Sequence, residues 1–200
     1  DEVFGITSSI YASPNEPETL DILFENGFPI AINGEMMDPV SIIKKCNSLA
    51  GKHGFGRLDI IEDRVVGIKS REIYETPGLL LLIRAHQEIE SLTLPADLLN
   101  TKCILERQWA NLVYQGFWFS PLKEALDGFI MSSQQQVNGT VRIRLFKGNA
   151  DIIGRKSQNN SLYISDMSTY GREDKFNHKS AEGFIYVWGL PSRIWSWINK

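Results

Sequence analysis

The sequence predicts an α+β fold with a mainly antiparallel sheet and a cluster of helices. Two hairpin patterns flank a central run of amphipathic helical patterns, and strands and helices that are grouped in this way are typical of α+β domains. The chain has 200 residues, of which 42% are hydrophobic and 22% are charged. That composition is sufficient for a single globular core, with or without a short tail.

The N-terminal third predicts a linker, a hairpin and a helix. Residues 1–18 are interpreted as a linker, because the polar stretch 12–18 contains two prolines. Two apolar runs at 19–25 and 28–32 follow, and the Asn-Gly pair between them is a strong hairpin signal. Asp38 before a proline then predicts the start of an amphipathic helix that ends near residues 51–54.

Residues 51–78 combine glycines with closely spaced charges. Leu58–Glu62 predicts a strand and Val65–Ile68 its partner, with the turn near Asp63. The glycines between residues 51 and 56 do not have P-loop spacing, so they favour a helix stop followed by a turn over a phosphate loop. The charged strands fit either a solvated hairpin face or side chains held rigidly at a cleft, and the residues alone leave both interpretations open.

The rest of the chain predicts helices followed by a second hairpin. Helical patterns cover residues 79–91, 95–114 and 121–133. Alternation over 137–146 and a return strand at 150–155 predict the hairpin, and a short helix is expected at 181–188. The aromatic stretch 114–119 could line a pocket, although packing is the preferred interpretation. Two cations in Gly154–Ser157 fit a solvated turn better than an anion site.

Composition and spacing exclude several function classes. The formal net charge of −3 gives no reason to expect nucleic acid or an anionic membrane as a partner. The longest apolar run, Leu79–Ile83, is far shorter than the roughly 20 residues of a membrane helix. The three histidines do not have metal-ligand spacing. Cys46 and Cys103 lie in helical patterns, which predicts reduced, half-buried thiols of an intracellular protein.

Several stretches, in order along residues 3–190, resemble one known family. The first residues contain neither a signal-peptide pattern nor an initiator Met, so the chain is expected to be a piece of a longer protein. The matching stretches are AGKHGFGRLDIIEDR at 50–64, GIKSREIYETPG at 67–78, LVYQGFWFSP at 112–121, GTVR at 139–142, KGN at 147–149, GRKS at 154–157 and AEGF at 181–184. In combination they resemble the C-terminal part of the argininosuccinate synthases.

That resemblance implies a ligase reaction. The family joins citrulline to aspartate while ATP is cleaved to AMP and pyrophosphate: ATP adenylates the ureido oxygen of citrulline, and the aspartate amine then displaces AMP. ATP, accompanied by Mg, is a co-substrate bound mainly by an N-terminal domain with a Ser-Gly-Gly loop. This chain contains no Ser-Gly-Gly. The resemblance therefore implies that the chain alone binds no cofactor and does not turn over.

The resemblance also assigns site residues and partners. Glu62 and Tyr74 match the family's citrulline contacts; catalytic, cofactor-binding and metal-binding residues are not expected here. Glu72 stands where many members have Gly, which could alter the rim of the pocket. Residues 19–188 would form the citrulline-binding domain. Residues 189–200, with two tryptophans, would form an oligomerisation tail.

The expected assembly is a homotetramer without nucleic acid or membrane partners. It is expected in the cytoplasm, or in the plastid stroma of a photosynthetic eukaryote, because residues 189–193 are similar to cyanobacterial and plastid versions. The alternative function is that of a non-catalytic assembly module.

Overall fold

A computed structural model describes residues 3–167, 175 and 177–200. The chain divides into two compact units, Asp1–Leu162 and Tyr163–Lys200. The first unit contains antiparallel sheets and helices, which confirms the predicted α+β class. The predicted divisions after residues 18 and 188 stay predictions.

The described strands are β1 (Glu18–Glu25), β2 (Phe28–Ile32), β3 (Glu35–Met36), β4 (Arg57–Asp63), β5 (Lys69–Glu75), β6 (Gly139–Phe146) and β7 (Asn149–Lys156). The larger sheet is antiparallel throughout, and within the described residues it has the order β3-β2-β1-β6-β7. A second, smaller sheet consists of β4 and β5. Both predicted hairpins of the larger sheet are therefore confirmed.

Local turn chemistry and alternation explain the larger sheet. Asn26 and Gly27 both have positive φ, 49° and 79°, as a two-residue hairpin turn of the mirror-image type requires. On β6, Val141, Ile143 and Leu145 are fully buried, and the arginines between them lie on the opposite face. The period of two therefore sends one face of the sheet into the core.

Four helices of the first unit are described, α1 (Pro39–Lys52), α2 (Pro77–Thr93), α3 (Ala96–Tyr114) and α4 (Pro121–Gln134). Helices α1 and α2 pack against each other and against the larger sheet. Leu81, Ala85 and Ile89 recur every four residues on α2, so they lie on one helix face, and all three are fully buried. Full burial of an aliphatic side chain of this size contributes about 1.5–3 kcal/mol.

Helix α4 begins at a side-chain cap formed by Ser120. Ser120 Oγ accepts a hydrogen bond of 3.2 Å from the backbone N–H of Lys123, and Pro121 occupies the first turn. We expect Ser120→Ala to lower the free energy of unfolding of the first unit by about 1 kcal/mol, because one backbone donor loses its acceptor. Urea denaturation followed by circular dichroism measures the change. Ser120→Asn keeps an acceptor and should lose little; equal losses in both variants would contradict the capping explanation.

The described part of the second unit consists of a 3₁₀ turn (Ser165–Met167), α5 (Lys179–Trp188) and α6 (Leu190–Ile198). Helix α5 confirms the predicted short helix. The expected tail contains a helix, with Pro191 in its first turn as is common at helix starts. Trp195 and Trp197 are 69% and 67% exposed.

Two sequence predictions about particular residues are wrong. Val65 and Val66 form a turn rather than a strand, because the strand that pairs with β4 begins at Lys69. Neither cysteine is half-buried as predicted, since Cys103 is exposed and Cys46 is buried. Cys46 is fully buried, and burial raises the pKa of its thiol to about 12, so it is unreactive at neutral pH.

Among the described helices, none is both long and apolar enough to cross a membrane.

Candidate functional site

The candidate site lies on the hairpin formed by β4 and β5. Its register pairs Leu58 with Tyr74, Ile60 with Glu72 and Glu62 with Ser70. Because directly paired residues, and residues two apart along a strand, point to the same side, these six side chains share one face. Glu62 and Tyr74 are 12 residues apart in the sequence, but the hairpin brings them close enough for their long side chains to meet.

Glu62 and Tyr74, the two residues assigned by resemblance, lie in contact. Tyr74 Oη is 3.2 Å from both carboxylate oxygens of Glu62 and donates its hydrogen to them. Partial burial, the hydrogen bond to Glu62 and the nearby charges of Glu62 and Glu72 raise the pKa of the Tyr74 phenol above its usual value. The phenol is therefore protonated at neutral pH, and the site presents a carboxylate beside a hydroxyl donor.

Glu72, the departure from the family pattern, is held by an arginine on the same face. Arg64 donates from one terminal nitrogen to Glu72 Oε1 at 2.6 Å and from Nε to Ser70 Oγ at 3.1 Å. The Glu72 carboxylate is thus tied to Arg64. Its charge nevertheless raises the pKa of Tyr74, whereas the charge of Arg64 lowers it.

The opposite face of the hairpin fits the solvated interpretation. Arg71 makes a two-pronged contact with Asp59 at 2.8 and 2.6 Å, and Lys69 binds Asp63 at 2.8 Å. All four side chains are more than half exposed, so these ion pairs contribute little to stability. The cleft interpretation concerns the face that carries Glu62 and Tyr74, and it stays a prediction.

Glu75 fastens the N-terminal residues to the base of the hairpin. Its carboxylate accepts hydrogen bonds from the backbone N–H groups of Gly5 at 2.7 Å, Ile6 at 3.2 Å and Thr7 at 2.8 Å. Burial alone would raise the pKa of Glu75, but these bonds and the Thr7 hydroxyl outweigh it and hold the pKa below its usual range. Arg57 completes the attachment through Nε to Thr7 Oγ1 at 2.8 Å.

A glycine determines where the hairpin leaves the body of the first unit. Gly56 has φ of 105°, and a Cβ atom there would lie 2.2 Å from Cα of Pro77. The chain can therefore enter β4 close to the first turn of α2 only without a side chain at this position.

We expect Gly56→Ala to destabilise the first unit more than Gly67→Ala, the matched control at the hairpin tip. Both glycines have positive φ, which strains alanine by about 1–3 kcal/mol, but Gly67 has nothing within 4 Å of its added Cβ. The clash with Pro77 adds roughly a further 1–3 kcal/mol at Gly56 alone. Urea denaturation of the two variants measures the difference, and equal losses would show that the contact with Pro77 is unimportant.

The end of α3 contacts the hairpin through Tyr114, whose hydroxyl donates to the carbonyl oxygen of Asp63 at 3.1 Å. The prediction that the aromatic stretch 114–119 packs is wrong for Phe119, which is 96% exposed. Trp118 is half exposed. It meets Trp109 edge-on at 6.3 Å, and Lys123 lies 4.0 Å from the centre of its ring.

The other candidates have structural roles. α1 ends at Lys52 and a turn follows with Gly54 at φ of 74°, which confirms a helix stop rather than a phosphate loop. Arg155, one of the two cations in Gly154–Ser157, donates to Glu88 at 2.6 Å. In the ranges that the structure describes, no three histidine, cysteine, aspartate or glutamate side chains are grouped to hold a metal ion.

Sequence reasoning missed Arg64 and Tyr114 as supports of the site. Arg64 lies on the same face as Glu62 and Glu72, but this can be recognised only when the hairpin register is known. The available signal was Gly67, which places a three-residue turn at residues 65–67 and so assigns each later residue to a face.

Comparison with known proteins shows which family the sequence matches. Residues 1–195 match the family model described as "Arginosuccinate synthase C-terminal domain". The chain belongs to the argininosuccinate synthase family. It is 87% identical over 200 residues to the argininosuccinate synthase of Prochlorococcus marinus strain NATL1A, covering all of this chain and 50% of that protein. It is 65% identical over 196 residues to the argininosuccinate synthase of Synechococcus sp. strain CC9311, covering 98% of this chain and 49% of that protein.

Family membership confirms the resemblance drawn from the sequence motifs. The chain spans about half the length of the curated argininosuccinate synthases that it matches. The match includes the hairpin residues, so Glu62 and Tyr74 stand within the family's C-terminal domain.

Proposed function

We propose that this chain supplies part of the citrulline site of an argininosuccinate synthase that acts in the cytoplasm. The ligase condenses citrulline with aspartate while ATP is converted to AMP and pyrophosphate. The observation that carries this proposal is the 87% identity over the entire chain to a protein named argininosuccinate synthase. The contact between Glu62 and Tyr74 supports the location of the site.

Glu62 is the proposed partner of the α-ammonium group of citrulline. A carboxylate and an ammonium form a charge-assisted hydrogen bond, which is stronger than a neutral one. Glu62 is partly buried, and its neighbour Tyr74 donates a hydrogen bond to it before any ligand arrives. This bond holds the carboxylate in one direction, so little side-chain freedom remains to be lost when citrulline binds.

Tyr74 has a second proposed role as part of the pocket wall. Its ring lies along the same hairpin face, and its protonated hydroxyl can donate to an oxygen of citrulline once the ammonium occupies Glu62. Neither residue needs to transfer a proton.

The contribution of this chain to catalysis is then one of orientation. The ureido oxygen attacks the α-phosphorus of ATP and pyrophosphate leaves; the aspartate amine next attacks the ureido carbon and AMP leaves. Citrulline fixed at its ammonium end presents its ureido oxygen at a constant distance from the hairpin, and such orientation replaces a chance encounter. ATP, as its Mg complex, is a substrate in this scheme and is bound mainly outside the present chain.

The full-length protein tests the proposal through its products. We expect release of AMP and pyrophosphate that depends on both citrulline and aspartate, with one of each formed per argininosuccinate. Release of AMP without citrulline, or no release with all three substrates, would contradict the ligase assignment.

The alternative, a non-catalytic assembly module, is favoured by the apolar exposure of the second unit. Trp188, Trp195 and Trp197 are each at least two-thirds exposed. Large exposed apolar groups mark contacts with other chains, and we propose that they contribute to a homotetramer. Assembly into a tetramer is compatible with the ligase function. A tetramer that is also active would support both the assembly proposal and the ligase proposal. Sedimentation equilibrium of the full-length protein gives the subunit number; a monomer would contradict the assembly proposal.

A further inference from the structure

A concave site lies away from the hairpin, on other elements of the first unit. A cavity of about 720 Å³ is bounded by the β1–β2 turn and by helices α2, α3 and α4, and none of its lining residues belongs to β4 or β5. Its volume is in the range of small-molecule sites. The apolar wall includes Phe28, Ile83, Trp109, Ile130 and Met131. Phe28, Ile83 and Met131 are about half exposed, so the cavity is accessible from outside the unit.

The floor of the cavity is a buried polar network. Lys102 and Glu90 are 1% and 3% exposed, and Lys102 Nζ lies 2.8 Å from Glu90 Oε1. Gln134 donates from Nε2 to the same oxygen at 2.7 Å, and its own oxygen lies 2.7 Å from His86 Nε2. Every one of these residues lines the cavity, so polar groups converge beneath apolar walls.

The charges of this network do not balance. Lys102 also contacts Glu106, so two carboxylates share one ammonium. Burial alone would lower the pKa of Lys102, but the two carboxylates outweigh it and raise that pKa, so the lysine is charged at neutral pH. One negative charge is left over, and the half-exposed Glu106 carries it at the edge of the cavity.

Lys102 is the only lysine or arginine among the described residues that line the cavity. Asp127, the remaining carboxylate of the lining, is occupied by Lys123 at 2.8 Å and by the Trp109 N–H at 2.7 Å. His86 Nδ1 lies 3.7 Å from Glu90 Oε2, which is beyond hydrogen-bond distance. A carboxylate that is half shielded from water beside apolar walls attracts a positively charged guest more strongly than it would in open water.

We propose that this cavity binds a small organic cation, an ammonium or guanidinium group carried on an apolar body. The cationic group lies against Glu106 and Glu90, and the apolar body fills the space between Trp109 and the aliphatic side chains. The face of Trp109 adds a favourable cation–π contribution. An anion would meet the surplus carboxylate, and a neutral ligand would leave it unbalanced.

Isothermal titration of the full-length protein with three matched probes tests the proposal. Benzylammonium, benzyl alcohol and benzoate have similar bodies and carry positive, zero and negative charge. The titrations are made with citrulline at saturation, so that Glu62 is not the binding group. We expect benzylammonium to bind at least about tenfold more tightly than benzyl alcohol, and benzoate not to bind.

Two substitutions assign that binding to the cavity. Glu106→Gln removes the surplus charge at a side chain that is 45% exposed, so the fold is retained, and should weaken benzylammonium binding about tenfold. Glu124→Gln, at an exposed position of α4 outside the cavity, is the matched control and should change nothing. Equal affinity for the alcohol, unchanged affinity in Glu106→Gln, or no saturable binding because another chain fills the cavity would each overturn the proposal.

Discussion

Replacing Glu62 by glutamine in the full-length protein is expected to raise the KM for citrulline by roughly 10- to 100-fold, the usual worth of a hydrogen bond to a charged group. The amide keeps the size of the side chain and still accepts a hydrogen bond from Tyr74, whose hydroxyl lies 3.2 Å from the carboxylate. The substitution therefore removes the charge and leaves the shape of the site unchanged. Citrulline-dependent AMP release, measured over a range of citrulline concentrations, gives KM and kcat separately.

The neighbouring residue provides a matched control. Asp63→Asn makes the same chemical change one position later, where the side chain lies on the opposite face and binds Lys69. We expect its KM to stay within about twofold of the parent value, since exposed ion pairs contribute little. A rise in KM of the same size in both variants would mean that the charge of the hairpin as a whole matters and that Glu62 is not a specific ligand.

Replacing Lys102 by methionine is expected to lower the free energy of unfolding of the first unit by about 3 kcal/mol. Removal of one partner of a buried ion pair leaves the other charge uncompensated, a loss of 3–5 kcal/mol in other proteins. The lower end applies because the adjoining cavity admits water to Glu90. Urea denaturation followed by circular dichroism measures the change, and Lys44→Met at an exposed position of α1 should be near neutral.

A double substitution separates lost charge from lost packing. In Lys102→Met with Glu90→Gln, the buried charge is removed, and the new amide oxygen can still accept the hydrogen bond from Gln134. We expect the double variant to recover most of the stability lost in the single variant. If the double variant recovers none of that loss, the methylene packing of Lys102, and not its charge, is the main contribution.

The larger sheet and the helices of the first unit could be predicted because their signals are local. Asn26-Gly27 needs only two residues to specify a turn, and Ser120-Pro121 marks the start of α4 without reference to the rest of the chain. Apolar residues then recur at helical spacing over several turns of each helix, and they alternate with polar residues along the strands. Local preference and long-range burial agree at these elements, so reasoning from the sequence succeeds.

The register of the hairpin could not be predicted in the same way. Val65 and Val66 have strong strand propensity, but they are 66% and 78% exposed, so burial does not select their register. Gly67 N–H donates to the carbonyl of Arg64 at 2.7 Å and closes the turn around the two valines. The proximity of Glu62 and Tyr74 depends on this register, for which Gly67 was the available signal in the sequence.

The buried charge of Lys102 had a signal that pattern reasoning passed over. Lys102 falls between Leu98 and Leu105 at helical spacing, so the three residues lie on one face of α3. A lysine at such a position is either directed outward or paired inside, and the partner Glu90 lies on a different helix. The choice between these outcomes is made by tertiary contacts.

The hairpin has an energetic independence that follows from its pairing. In the described chain, β4 and β5 pair only with each other, and a lone two-stranded ribbon is marginally stable in water. Its base is fixed at Gly56 and Glu75, whereas the core of the first unit is formed mainly by other elements. The hairpin can therefore unfold locally while the core of the first unit stays folded. On mild warming, activity that depends on the hairpin would then be lost before the first unit unfolds. A ligand that binds the hairpin would shift that loss to a higher temperature.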